Sequence, residues 1–122
     1  MKVSYTTSNG RLNVELEADT HISLWAQLAS FQEAFEEEKC QKCNGTDLRF
    51  SIRKSSYIDK DTGKEKPCDY HELRCRKCGA KLAFGVLDDQ TYRVYPKRKN
   101  RDGTIKGKYG WVKWNPETEK EE

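Results

Sequence analysis

No run of apolar residues in this 122-residue chain approaches the roughly 20 needed to cross a bilayer, so no membrane association is expected. The opening residues Met1-Lys2-Val3-Ser4-Tyr5 carry no apolar signal segment, which points to a reducing, cytoplasmic compartment. Hydrophobic residues make up only 34% of the chain, against 35% charged. A core that thin needs a staple, and bound metal is one of the standard ones. Histidine occurs only twice, at His21 and His71, and no paired acid–base constellation accompanies either, so catalysis is not expected. His21, at the start of a helical stretch, has no partner in sequence and is given no role.

Five cysteines are present, and four of them fall into two matched pairs, Cys40-Gln41-Lys42-Cys43 and Cys75-Arg76-Lys77-Cys78. Two residues between cysteines let one tight turn aim both sulfurs at a point, and two such turns supply the four thiolates of a tetrahedral zinc site. Asn44-Gly45 follows the first pair and Gly79 the second, so both segments reach positive φ at low cost and can turn backbone amides toward sulfur. A thioredoxin-like redox pair would open a helix, whereas Cys40 follows one. The odd cysteine count fits a disulfide framework poorly. The expectation is one structural Zn²⁺ held by Cys40, Cys43, Cys75 and Cys78. Cys68 and His71 are alternative ligands by proximity, but four sulfurs already complete the site, and both read as ordinary loop and strand residues.

Charge is segregated along the chain. Residues 1–39 carry three basic and seven acidic side chains, whereas residues 40–114 carry nineteen basic and nine acidic. The last eight residues, 115–122, hold one lysine and four glutamates. Zinc with four thiolates adds about −2 to the middle, which stays strongly basic and points to a polyanionic partner.

Residues 2–17 read as a hairpin, with Val3 and Tyr5, then Leu12, Val14 and Leu16, alternating around the turn Ser8-Asn9-Gly10. Asp19 or Thr20 caps a helix over residues 21–38, where Leu24, Leu28, Phe31 and Phe35 form a stripe expected to cover the hairpin. Leu48, Phe50 and Ile52 alternate as a strand with Arg49 and Arg53 on the other side. Residues 54–67 read as a long polar tip, 69–74 as the returning strand, and 81–87 as a third strand carrying Leu82, Phe84 and Val86. Asp88-Asp89 turns into a fourth over residues 91–95, which Pro96 ends.

Knuckle, strand, long hairpin, strand, knuckle, strand is the order of a zinc ribbon, and residues 38–95 resemble that family through Cys40, Cys43, Gly45, Cys75, Cys78 and Gly79. Zinc ribbons occur in transcription factors, polymerase subunits, ribosomal proteins, topoisomerase tails and replication proteins, so the resemblance implies a fold and a metal. With a ββα element before it and a basic aromatic stretch after it, the chain also resembles small phage zinc-ribbon proteins of replication and recombination regions. That likeness implies single-stranded DNA binding in a host cytoplasm.

Residues 91–114 combine cations with flat rings. Arg93, Lys97, Arg98, Lys99, Arg101, Lys106, Lys108 and Lys113 stand among Tyr92, Tyr95, Tyr109, Trp111 and Trp114. Cations for phosphates and rings for unpaired bases are what single-strand binding needs. The alternative is a closing strand over residues 111–114 whose tryptophans seal the core, with the basic loop a solvated surface. One tryptophan is expected buried and one available, and alternation does not say which. The expected class is α+β: an N-terminal β-hairpin plus one helix over residues 1–39, an antiparallel zinc-ribbon sheet with a basic aromatic loop and strand over 40–114, and an acidic disordered tail over 115–122. The expected partner is nucleic acid, most simply single-stranded DNA. A protein-interaction adaptor or inhibitor module using the acidic helix end at Glu33, Glu36, Glu37 and Glu38 is the alternative, and the partner is then another protein; a homodimer is a separate expectation with no residues assigned to it.

Overall fold

The computed structural model describes residues 1–87 and 93–122. The chain is α+β, with one helix and antiparallel sheets. It divides into two compact units, Met1–Glu38 with Val86–Tyr95, and Lys39–Gly85 with Pro96–Glu122. The turn expected at Asp88-Asp89, and Tyr92, lie outside the described residues.

In the first unit, β1 (Lys2–Thr6) pairs antiparallel with β2 (Asn13–Glu17), with Tyr5 opposite Val14 and Val3 opposite Leu16. The period-2 pattern makes these four residues the inner face. Thr20 accepts from the Ser23 amide through its hydroxyl at 3.1 Å and opens α1 (His21–Phe35). The helix stops earlier than residue 38: the Glu36 amide closes the last turn on the Gln32 carbonyl, and the Glu36 carboxylate is drawn to the hairpin. There it accepts from the Tyr5 hydroxyl and from the Ser8 hydroxyl at 2.7 Å. The Tyr5 ring meets Phe31 edge-on at 5.8 Å, and Phe31 stacks on Phe35 at 4.8 Å. The stripe therefore does cover the hairpin, but Leu24, Leu28, Phe31 and Phe35 are only half-buried. A cleft of about 740 Å³ lies along the helix, lined by Leu16, Ala26, Phe31, Phe35 and Val94 among others.

The second unit is built on a long hairpin. β3 (Leu48–Ile58) and β4 (Glu65–Cys75) are in register from Leu48 opposite Cys75 to Ile58 opposite Glu65. The tip is much shorter than the expected 54–67. Only residues 59–64 turn, because the Asp59 amide bonds the Lys64 carbonyl at 2.9 Å and Gly63 sits at φ 67. The Lys66 ammonium on the Asp59 carboxylate at 2.7 Å ties the turn to the strand. β5 (Lys81–Val86) pairs with β4, setting Leu82 opposite Leu73 and Phe84 opposite His71. The short strand β6 (Val94–Pro96) follows in the chain, and β7 (Trp111–Val112) pairs antiparallel with β5, with Trp111 opposite Leu82.

Leu48, Leu73, Leu82, Phe84, Trp111 and Val112 form the core of this unit. The expected closing strand is broken. After β7 the chain resumes as β8 (Trp114–Asn115), which pairs with β9 (Lys120–Glu121), so the acidic tail is a hairpin and not disordered. Asn115 caps its turn by accepting from the Glu117 amide at 3.0 Å, and Glu121 reaches the Lys81 ammonium at 2.6 Å. An acidic segment beside a strongly basic body gains opposite-charge contacts that its own composition does not reveal.

Candidate functional site

The two knuckles repeat one backbone pattern. The Cys40 amide donates to the Gly45 carbonyl and the Asn44 amide to the Cys40 carbonyl, both at 2.8 Å. The Cys75 amide likewise donates to the Ala80 carbonyl, and the Gly79 amide to the Cys75 carbonyl, both at 2.9 Å. Each turn closes through one left-handed residue, Asn44 at φ 61 and Gly79 at φ 82. Asp47 ties the knuckles together by accepting the Arg76 amide on its carbonyl at 3.0 Å.

These turns place the sulfurs of Cys40, Cys43, Cys75 and Cys78 within 4.8 Å of one another. Cys40 and Cys78 are separated by 3.6 Å between sulfurs, and Cys43 and Cys75 by 3.5 Å. A tetrahedron with Zn–S bonds of about 2.3 Å has edges of about 3.8 Å, so the cluster matches a four-thiolate zinc site. Backbone amides already face the sulfurs: Lys42 donates to Cys40 Sγ and Gly45 to Cys43 Sγ, each at 3.3 Å, and Ala80 to Cys78 Sγ at 3.5 Å. A side chain at Gly45 would place a Cβ 3.2 Å from Cys43 Sγ.

Burial pushes the Cys40 thiol up to about 12, despite amide bonds that lower it. Cys40 and Cys75 are buried and Cys43 and Cys78 half-buried, and a divalent metal deprotonates the thiols that coordinate it. The donor set makes a single structural zinc site. Cys68 and His71 stay out of it. Cys68 pairs with Ser55 and His71 with Ile52, on opposite faces of the hairpin.

The basic stretch is an ordered loop. The Lys97 amide bonds the Ala83 carbonyl at 2.8 Å, the Lys106 amide the Arg98 carbonyl at 2.9 Å, and the Gly110 amide the Lys106 carbonyl at 2.8 Å. Arg98 is a brace, donating from Nη1 to the Tyr109 carbonyl at 2.5 Å. Lys97, Lys99, Arg101, Lys108, Tyr109 and Lys113 are exposed, and Lys106 is half-buried. Arg93 and the half-buried Tyr95 belong to the first unit, and the others to the second.

The sequence sets Trp111 among the stacking rings, and the structure corrects this: Trp111 is 0% exposed, with its ring in the core. Trp114 is the available one, 57% exposed. Both residues of β7 are buried because that strand has the sheet on one side and the loop on the other. Gly107 and Gly110 approach so closely that a Cβ would meet the Trp111 carbonyl oxygen at 2.2 Å and Leu82 Cδ1 at 2.7 Å. Alternation cannot sort residues in a strand covered on both faces.

Sequence reasoning missed a buried ion cluster. Glu72 is buried and meets Arg53 at 2.9 Å, Arg74 at 2.6 Å and Lys81 at 3.8 Å. Burial alone would raise its carboxyl, but the Arg53 hydrogen bond and the charges of Lys81 and Arg74 hold it below the usual range. The signal available was the alternation that put Arg49 and Arg53 opposite Phe50 and Ile52. Which acid they would find depends on strand register. Among the described residues, no helix is long and apolar enough to cross a membrane.

No protein-family model, curated protein or solved structure matches the chain.

Proposed function

We propose that the protein binds single-stranded nucleic acid, most simply single-stranded DNA during replication or recombination, on a scaffold held by structural zinc. The observation that carries this reading is the ordered basic loop, in which Lys97, Lys99, Arg101, Lys108 and the Tyr109 ring are all exposed, followed in the chain by a second exposed ring, Trp114. Tyr109 is held at φ 53, a left-handed conformation that a tyrosine adopts only when its surroundings impose it, and such residues gather at binding sites. Long cationic side chains suit phosphates, and rings suit unpaired bases, which duplexes do not offer.

Fluorescence anisotropy with single- and double-stranded DNA and RNA at two salt concentrations tests this. Tighter, salt-sensitive binding to single strands is expected. Joint replacement of Lys97, Lys99 and Arg101 by Ala should flatten the log–log salt slope by about 0.7 for each phosphate no longer neutralised. Trp114→Ala should weaken binding with that slope unchanged and remove the fluorescence quenching a stacked base produces. Absence of binding to any unpaired strand at low salt overturns the reading.

One observation favours an adaptor as the second reading. Trp25 is 78% exposed, and Ile22 stands beside it on the outer side of α1. The acidic helix end proposed for that role is partly engaged, since Glu36 is bonded to Tyr5 and Ser8. An adaptor would capture a protein partner independently of salt and lose it with Trp25→Ser.

A further inference from the structure

The β3–β4–β5 sheet has two unlike faces. Residues opposite each other in an antiparallel pair share a face, so the register puts Leu48, Leu73, Leu82 and Trp111 on one side. The other side carries Arg49 opposite Arg74, Arg53 opposite Tyr70, and Tyr57 opposite Lys66, with Lys81 next to Arg74. Serines 51 and 55 separate the larger residues of β3, which leaves the face low between them. From Arg49 to Tyr57 it extends about 27 Å at the rise of a β-strand.

Arg49, Arg53 and Tyr57 on this face are exposed, whereas Arg74 is half-buried and Lys81 is largely covered. The Arg53 guanidinium lies 4.4 Å over the Tyr70 ring and is held by Glu72 through Nε, so both Nη groups remain as donors. A clamped, planar guanidinium suits phosphate or base contact with little ordering cost. Arg49 touches Asp47 through Nε at 3.4 Å, in an exposed pair that a phosphate can replace. Tyr57 is 51% exposed near the far end.

An anion already sits at the near end. Glu121 reaches Lys81 Nζ at 2.6 Å, and its charge acts on Arg53 as well. Glu121 pairs with Trp114 across β8–β9, so the exposed indole shares a face with that carboxylate.

We infer that this face, from Lys81 through Arg74, Arg53 and Arg49 to Tyr57, is a second track for single-stranded nucleic acid, on which the Glu121 carboxylate occupies a phosphate position. The inference rests on the nucleic-acid reading above but concerns the β3–β4–β5 face, whose near end Trp114 shares with Glu121, and not the residues of the 97–110 loop. Charge complementarity selects the occupant: Arg53, Arg74 and Lys81 meet the one buried carboxylate, Glu72, while Arg49 and Lys66 stand further along in pairs with Asp47 and Asp59, and Tyr57 and Tyr70 stand where bases would stack. The acidic hairpin then acts as a competitor that a strand displaces.

The test uses the full-length, zinc-loaded protein and labelled oligo-dT. Arg49→Gln with Tyr57→Ser removes two exposed side chains with no buried partner, and retained zinc and thermal midpoint verify the fold. Affinity for a long oligomer should fall about fivefold or more without the Tyr57 stacking, and the salt slope should drop by about 0.7 without the Arg49 charge on a phosphate. Glu121→Gln should tighten binding. If the wild-type protein binds oligo-dT and the double variant binds with equal affinity and slope, the track is refuted while the loop reading stands. If Glu121→Gln leaves affinity unchanged or lowers it, the phosphate-position assignment is refuted. If the wild-type protein binds no unpaired strand, the function reading fails first and the track falls with it.

Discussion

Trp111 and Trp114 show how far two neighbouring residues of one type can diverge. Trp111 fills the space between Leu82 and the loop, so Trp111→Ala should cost roughly 3–5 kcal/mol, read as a fall in thermal or denaturant midpoint. Trp114→Ala should leave stability within about 0.5 kcal/mol and alter only binding. Equal destabilisation by the two would contradict the burial described above. Glu72 gives the sharpest electrostatic test. Its folded-state carboxyl is depressed, so its contribution is complete above the ordinary glutamate range and is lost as pH falls through the folded value. Glu72→Gln should therefore flatten the acid limb of the stability–pH curve. At neutral pH it should cost about 3 kcal/mol, the lower end for breaking a buried pair, because Arg53 and Arg74 can rehydrate. An unchanged acid limb would mean that Glu72 contributes nothing to stability through its charge.

At the scale of elements, the half-burial of α1 limits what its stripe contributes. Helical periodicity makes Leu28 a core residue, but half-burial reduces the expected cost of Leu28→Ala to about 1 kcal/mol, roughly half the value of full burial. The loop depends more on its glycines. Gly110 lies at φ 94 with Leu82, the Arg98 Cα and the Lys97 carbonyl around its missing Cβ. Gly110→Ala adds left-handed strain to that overlap and should destabilise the protein by more than about 1 kcal/mol. The same change should loosen the basic loop, seen as faster amide exchange over residues 97–110. Exchange unaltered by Gly110→Ala would mean that the loop is held some other way.

At the scale of the molecule, zinc joins the two knuckles that flank the β3–β4 hairpin. Cys40 and Cys75 are distant in sequence, so metal binding there is folding free energy. Chelation, or Cys75→Ser, should release one zinc per chain and unfold the Lys39–Gly85 unit, as followed by circular dichroism and metal analysis. Cys68→Ser should retain both metal and fold, since Cys68 is outside the cluster. A protein that remains folded without metal after chelation would show that its core needs no staple.

Much of this organisation is written locally. The two CxxC spacings with Asn44-Gly45 and Gly79 behind them dictate the knuckles, because turn geometry and positive φ are properties of a few adjacent residues. Hairpin, helix and the alternation of Leu48, Phe50 and Ile52 were legible for the same reason, as was the charge of residues 40–114. Four features belong to tertiary structure alone: the length of β3–β4, the folding of the acidic tail, the burial of Trp111 rather than Trp114, and the cation cluster on Glu72. Each depends on which residues distant in sequence come to lie opposite each other. Lys54, Ser55 and Ser56 look like loop until β4 pairs with them, and Glu121 looks like a solvated tail until Lys81 is beside it. Local pattern specifies what an element can be, and register and close approach decide which of its faces meets water.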